Sequence, residues 1–317
     1  MNDPLERLNV SFPDYVRGRR LAESKQMDGN GLPNYAYAMD YTLRKKLDAI
    51  PGLYSLGRKI CGTYVTRQTK LYNIHALKVG PTQFPEVYQM GCDCARILGI
   101  GIPNIFILNE PSMNAFTYAF DDMEPMIVIH SGLYERMTPG ELRCVIGHEC
   151  GHIHNQHGVY NMLGALLLEA GLNSLVSFVP MELLRLLTLS SQLALKTWSR
   201  AAEVTCDRAG MICAENLRDS YSVQAKLMYG AAFGEHTVDY AAIREQLENQ
   251  VNNLSKYVEL NYDHPSGARR IAAEMEFAEC EVLYQWRPEL KTHGLVTRSR
   301  QQTDDRCRRV VDLTKSG

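Results

Sequence analysis

The chain has 317 residues, of which 45% are hydrophobic and 22% are charged, and its formal net charge is −2. This length supports a substantial core in one large domain or two small ones. The small net charge gives no reason to expect nucleic acid or an anionic membrane as a bulk partner. The start of the chain lacks the basic and apolar regions of a secretory signal. Nine scattered cysteines are typical of a reducing compartment, which indicates a cytoplasmic protein.

The first part of the chain is predicted to be helical after an irregular lead-in. Residues 1–34 are polar and contain glycine and proline. The pattern from Tyr35 to about Leu71 indicates helices that are interrupted at Pro51-Gly52. A further helix is predicted over 84–101, where it ends in "GIG".

Two short runs rich in β-branched and aromatic residues then predict strands, at 104–110 ("NIFILNE") and 125–132 ("PMIVIHSG"). From about 133 to 285 the pattern is helical, apart from the turn "NYDHPSGARR". The tail, 286–317, is polar with a basic bias and is predicted to be loose. The fold class that follows is α+β, predominantly helical, with a small β-sheet.

One segment raises the question of a membrane. Residues 162–180 approach the length that crosses a bilayer, and 181–198 form a second apolar stretch. Glu169 and Asn173 lie near the middle of the first stretch, and a carboxylate at mid-membrane is costly unless it is paired. The main interpretation is a packed hairpin of two apolar helices. Membrane contact through 162–198 is the alternative.

A metal-binding pattern lies in a helix with a well-defined start. Thr138, Pro139 and Glu141 form the signature of a capping box. Further along, "HECGH" places His148 and His152 one turn apart on one face. Two imidazoles at this spacing can bind one Zn²⁺, and the glutamate between them can reach the water on the metal. The competing interpretation is a histidine pair on a solvated surface, so a third ligand is required.

Two glycines and two further histidines near this pattern bear on the zinc hypothesis. Gly147 and Gly151 each cost roughly 1 kcal/mol inside a helix, so something is expected to approach this helix closely. His154 and His157 are expected on other faces of the same helix, where they cannot easily converge with His148.

The third ligand is predicted downstream, in "SRAAEVTCDRAG" (199–210). Glu203 can complete a site of two histidines and one glutamate that leaves a fourth position open. Asp207, one turn on, can accept the other ring N–H of a zinc histidine. The alternative, an acidic pair on a solvated face, is disfavoured by the small apolar residues around it.

Four segments in order resemble the zinc metallopeptidases that include HtpX, the CAAX prenyl protease and the Oma-type proteases. They are "MNAFTYAF", "SGLYERMTPGELRCVIGHECGHIHNQH", "EVTCDRAG" and "DHPSGARRI", within about 84–285. The resemblance implies a zincin-like metalloprotease domain over 71–285, preceded by 1–70 and followed by the tail 286–317. Residues 158–200 would be an apolar insertion in that domain.

The resemblance also implies residue roles. His148, His152 and Glu203 would bind one zinc ion per chain, with Glu149 as the general base. Asp207 would orient a ligand, and His264 and Arg270 would lie beside the metal and support the developing negative charge. Asn114 and Ala115 would lie on the edge strand that pairs with an extended polypeptide substrate.

The function implied is zinc-dependent endopeptidase activity on proteins, with protein quality control as the associated expectation. One alternative is a membrane-associated family member that acts on membrane or prenylated proteins. Another is a chaperone-like protein that retains the metal site. An aminopeptidase is disfavoured because no exopeptidase motif precedes the zinc helix. Cys150 and Cys206 are interpreted as buried packing residues, with redox sensing as the competing idea.

Overall fold

The computed structural model describes residues 32–120, 123–169, 189–229, 238–249 and 265–311. Residues 1–31 of the predicted lead-in 1–34, the central part of the hairpin (170–188) and His264 lie outside these residues. Within the described ranges, no helix combines the length and the apolar character that crossing a membrane requires.

Helices and strands are mixed up to residue 130, and all the described elements after it are helices. In chain order they are α1 Ala38–Asp48, α2 Leu53–His75, β1 Ala76–Lys78, α3 Pro85–Leu98, β2 Asn104–Leu108, β3 Ala115–Tyr118, β4 Met126–His130, α4 Ser131–Arg136, α5 Pro139–His154, α6 Gly158–Glu169, α7 Leu189–Cys213, α8 Leu217–Tyr229, α9 Tyr240–Asn249, α10 Gly267–Phe277, α11 Glu281–Trp286 and α12 Arg300–Val311. The α+β class with a small sheet is confirmed.

Local sequence explains where the early elements start and stop. Gly52 has a φ of 79°, a left-handed conformation that favours glycine, and it separates α1 from α2. Pro85 occupies the first turn of α3, and Gly99, with a φ of 71°, ends that helix. The predicted helix interruption and the predicted helix end are therefore both confirmed.

The four strands form one mixed sheet in the order β1-β2-β4-β3. Strands β2 and β4 are parallel, and β1 and β3 pair antiparallel on their outer sides. All five residues of β4 are buried, as a central strand covered on both faces requires. Strand β3 is consequently an edge of this sheet, and the short β1 was not predicted from the sequence.

Helices α5 and α7 pack closely, and the two glycines of the metal-binding pattern are the reason. A Cβ at Gly147 would lie 2.5 Å from the Cβ of Cys213. A Cβ at Gly151 would lie 2.7 Å from the Cβ of Ala209 and 3.1 Å from the Cα of Cys206. The close approach expected at these glycines is therefore made by α7, the helix that carries Glu203 and Asp207.

Gly151→Ala is expected to lower the free energy of unfolding by about 1–3 kcal/mol, because overpacking forces α5 and α7 apart. The cost of overpacking is larger than the stabilisation of about 1 kcal/mol that alanine has over glycine in a helix. Gly62→Ala in α2 is the control, since a Cβ there meets no heavy atom within 4 Å, and it should leave stability unchanged or raise it. Urea unfolding of both variants makes the comparison. Equal effects at the two sites would contradict this account.

The expectation of a loose tail is wrong for the part of the tail that the structure describes. Helix α12 buries Thr303, Cys307 and Val311, and Cys307 and Val311 share a core cluster with Ala273 of α10. The carboxylate of Asp304 lies 2.7 Å from a guanidinium nitrogen of the buried Arg208. This helix was not predicted because its composition is polar, and much of the face that it buries is itself polar.

Candidate metal centre

Two helices bring three potential metal ligands together. Helix α5 presents His148 and His152 with ring centroids 5.0 Å apart. Helix α7 directs Glu203 between them: its Oε2 lies 3.5 Å from Nε2 of His148, and its Oε1 lies 3.5 Å from Nε2 of His152. In a tetrahedral zinc site, metal–ligand distances of about 2.0–2.2 Å separate neighbouring ligand atoms by roughly 3.3–3.6 Å. The two 3.5 Å distances, one from each oxygen of Glu203, lie within this range.

The chemistry of these side chains also fits a cation. Glu203 is only 4% exposed and His152 only 6%, so a carboxylate is held out of water beside two imidazoles. A buried charge is costly unless it is paired or binds a metal. Two histidines and one glutamate are a common ligand set of catalytic zinc sites, which keep a fourth position open.

A different trio, His148, His152 and Cys206, also brings one potential ligand atom from each residue within 4.8 Å. The thiol of Cys206 contacts Nδ1 of His157 at 3.5 Å, and that same nitrogen lies 3.1 Å from Nδ1 of His152. Cys206 therefore lies on the Nδ1 side of His152, behind the Nε2 atoms that face Glu203. Burial raises the pKa of this thiol well above its usual value.

Behind His148 lies the predicted orienting carboxylate. Asp207 Oδ1 is 3.0 Å from Nδ1 of His148, the atom that points away from Glu203. Arg270 donates to both oxygens of Asp207, and its Nη1 lies 3.4 Å from Oε2 of Glu203. The guanidinium therefore bridges the two carboxylates and acts on the site through them.

The pKa values of His148 and Asp207 reflect these contacts. Burial would lower the pKa of His148, but the hydrogen-bonded carboxylates of Asp207 and Glu203 outweigh it and raise that pKa to about 10. Burial would likewise raise the pKa of Asp207, yet the guanidinium of Arg270 holds it below its usual value. The charged form of Asp207 is therefore favoured, and the centre attracts positive charge.

Further polar residues lie around Asp207, and they were not predicted from the sequence. Gln224 donates to Asp207 Oδ1 at 3.1 Å and to Glu274 Oε1 at 3.2 Å, and Ser220 donates to the same oxygen of Glu274 at 2.8 Å. Burial, together with the charge of Asp207, raises the pKa of Glu274 to about 8. The protonated form of Glu274 is thus favoured beside the charged Asp207.

Behind His152 the structure differs from the expectation for His157. Helix α5 ends at His154, and Gln156 turns the chain with a φ of 57°. His157 consequently folds back, and its Nδ1 lies 3.1 Å from Nδ1 of His152. Placing His157 on another face of the same helix was wrong, because a short-range projection continues the helix past its real end. His154 does point elsewhere, towards the Tyr35 hydroxyl.

The predicted residues Glu149, Asn114 and Ala115 lie along one open cleft of about 950 Å³. Glu149 is 5% exposed, and its Oε2 accepts a hydrogen bond of 2.6 Å from the hydroxyl of Thr117 on the edge strand β3. Ala115 begins β3, and the carbonyl of Asn114 accepts from the backbone N–H of His130. Asn114, Ala115 and Thr117 all line the cleft together with the metal centre. Thr117 was not singled out from the sequence, although it lies within "MNAFTYAF".

Several known proteins are similar in sequence to this chain. The pattern of Peptidase family M48 matches residues 81–276. The chain is 34% identical over 201 residues to the plastoglobule-localized metallopeptidase 48, chloroplastic, of Arabidopsis thaliana, a match that covers 63% of this chain and 57% of the plant protein. A Protease HtpX homolog of Levilactobacillus brevis is 33% identical over 97 residues, which cover 31% of this chain and 32% of that protein.

Among solved structures, the crystal structure of S. mikatae Ste24p is similar with a TM-score of 0.38 and 16% identity, over 84% of this chain and 67% of that one. The chain thus spans 57% of the length of the plant relative and 32% of the length of the bacterial one.

Proposed function

Because the chain belongs to peptidase family M48 and places two histidines and a buried glutamate around one point, we propose that it is a zinc-dependent endopeptidase acting on proteins. The observation that carries the proposal is the equal 3.5 Å spacing from Glu203 to the Nε2 atoms of His148 and His152. These three side chains would hold the ion, and Asp207 would orient His148.

Zinc bound here supplies a Lewis acid that polarises the scissile carbonyl and lowers the pKa of a water molecule. Glu149 takes the proton from the attacking water and delivers it to the leaving amine. Thr117 fixes one oxygen of Glu149 through the 2.6 Å hydrogen bond, so the carboxylate is held at the wall of the cleft. Arg270 pairs with Glu203 and Asp207 and holds them in place. His264 remains the proposed partner of the developing oxyanion.

The substrate is proposed to bind as an extended polypeptide along β3. This strand is an edge of the sheet in the described part of the chain, so its outer backbone groups can pair with an added strand. Asn114 and Ala115 begin that edge and line the cleft beside Glu149. A peptide backbone held there would pass the metal centre.

The test combines metal analysis with a digestion assay. The purified protein should hold one zinc ion per chain and cleave an unstructured substrate such as casein. A chelator should remove both the zinc and the activity, and an equimolar amount of zinc should restore both. A peptide with a blocked N-terminus should still be cut, because an endopeptidase does not need a free amine. Protein that binds no zinc, or whose proteolysis survives zinc removal, would contradict the proposal.

The cytoplasmic location stays part of the proposal. Release of the native protein into the soluble fraction without detergent is the expected result. Sedimentation with membranes would instead favour the alternative of a membrane-associated enzyme that acts on membrane or prenylated proteins.

A further inference from the structure

We infer that His157 and Asp40 are positioning residues for the metal centre: His157 accepts the Nδ1 proton of the zinc ligand His152, and Asp40 holds His157. We call Asp40, His157 and His152 the His157 relay. This inference rests on the proposed zinc site, because it assigns a task to the rear face of one of its ligands.

The direction of each hydrogen bond follows from the site. A neutral imidazole that binds a metal through Nε2 carries its proton on Nδ1 and must donate from there. Nδ1 of His152 lies 3.1 Å from Nδ1 of His157, so that nitrogen of His157 is the acceptor. The proton of His157 is then on Nε2, which lies 3.0 Å from Oδ2 of Asp40. One arrangement of protons therefore satisfies both contacts.

The carboxylate at the end of the relay is itself fixed from two sides. Trp198 donates its indole N–H to Oδ1 of Asp40 at 2.8 Å, and Thr205 donates its hydroxyl to Oδ2 at 2.8 Å. Asp40 is 4% exposed and His157 is 1% exposed, so water does not compete for these bonds. These contacts hold the carboxylate of Asp40 in place behind His157.

The relay gives the two zinc histidines different support. Nδ1 of His148 meets the carboxylate of Asp207 directly, at 3.0 Å, whereas Nδ1 of His152 is linked to the carboxylate of Asp40 through a second imidazole. Asp40 lies on α1, outside the residues 81–276 that match the family pattern. Helix α1 rests against α7, where Tyr37 donates its backbone N–H to the hydroxyl of Thr205. The N-terminal part of this chain thus contributes to the ordering of the metal centre.

One neighbour competes for the same proton. The side-chain amide of Asn161 lies 3.0 Å from Nδ1 of His152 through its nitrogen, while its buried oxygen has no hydrogen-bond partner among the described residues. The oxygen and nitrogen of a side-chain amide are told apart by their hydrogen bonds. With the two atoms exchanged, the oxygen of Asn161 would be a second acceptor for the Nδ1 proton of His152. The experiment must therefore separate His157 from Asn161.

The test uses a matched pair of substitutions in the full chain. His157→Asn places its amide oxygen near the position of Nδ1 and keeps the acceptor for His152, whereas His157→Gln reaches only the position of Nε2, towards Asp40. Zinc dissociation constants are measured by competition with a chromogenic chelator. We expect His157→Gln and His157→Phe to weaken zinc binding by about 10–100-fold. His157→Asn should recover most of this loss. The ligand-field spectrum of cobalt-substituted protein should shift in the same order.

His154→Phe is the control, because this buried histidine contacts Tyr35 rather than His152; it should leave the zinc dissociation constant unchanged. Unfolding of the metal-free variants by urea separates a loss of stability from a loss of zinc affinity. Equal zinc affinities for His157→Gln, His157→Asn and wild type would overturn the inference. So would a loss confined to Asn161→Leu. If wild-type protein binds no zinc, the proposed function fails first, which is a distinguishable result.

Discussion

Replacing Glu149 with Gln should leave zinc bound and lower kcat by about 10²–10⁴-fold, the contribution expected of a general acid–base. The amide cannot accept a proton from the attacking water or return one to the leaving amine. It can still accept the hydrogen bond that Thr117 donates to this side chain, so the local structure should be kept. Glu149 is not among the three proposed ligands, and metal content should therefore be unaffected.

The measurement pairs zinc content with the initial rate of casein digestion in wild type and Glu149→Gln. Glu135→Gln, the same chemical change at an exposed position on α4, is the matched control and should retain full activity. Full proteolysis by Glu149→Gln would remove Glu149 from the mechanism. Cellular function that persists in the inactive variant would favour the chaperone-like alternative.

The zinc helix itself could be predicted from the sequence because its signals are local. Thr138 and Glu141 form both hydrogen bonds of the capping box, as their spacing predicts. His148 and His152 share a face since residues four apart lie one turn apart. Glu203 and Asp207 obey the same rule on a second helix. That these two helices meet was expected from the need for a third ligand.

The parts that could not be predicted depend on contacts between distant residues. His157 meets Asp40 across 117 positions of the chain, and nothing in the local pattern indicates that the chain turns back at Gln156. Similarly, α12 is polar in sequence, but Asp304 pairs with Arg208 of α7. Such buried polar contacts do not produce an apolar stripe, and hydrophobic periodicity therefore cannot detect them.

Arg270→Met should lower the free energy of unfolding of the metal-free protein by about 3–5 kcal/mol, the cost of removing one partner of a buried ion pair. Arg270 is 9% exposed and lies between Asp207 and Glu203, both nearly fully buried. Methionine fills a similar volume but leaves two carboxylates without their shared cation. Glu274, which lies in the same network through Gln224, would then sit beside carboxylates that have lost the guanidinium.

Zinc should offset part of this loss, because it supplies positive charge at Glu203, and saturation at 100 times the dissociation constant adds about 2.7 kcal/mol to a folded state that alone binds it. Urea unfolding with and without zinc measures both effects. Arg270→Lys should lose less than Arg270→Met, since lysine keeps the charge but not the paired hydrogen bonds. Arg269→Met is the control on the same helix, where Arg269 donates to the carbonyl of Val310 instead. If Arg270→Met and Arg269→Met unfold alike without zinc, Arg270 does not hold the two carboxylates, and its place in the metal centre must be reassigned.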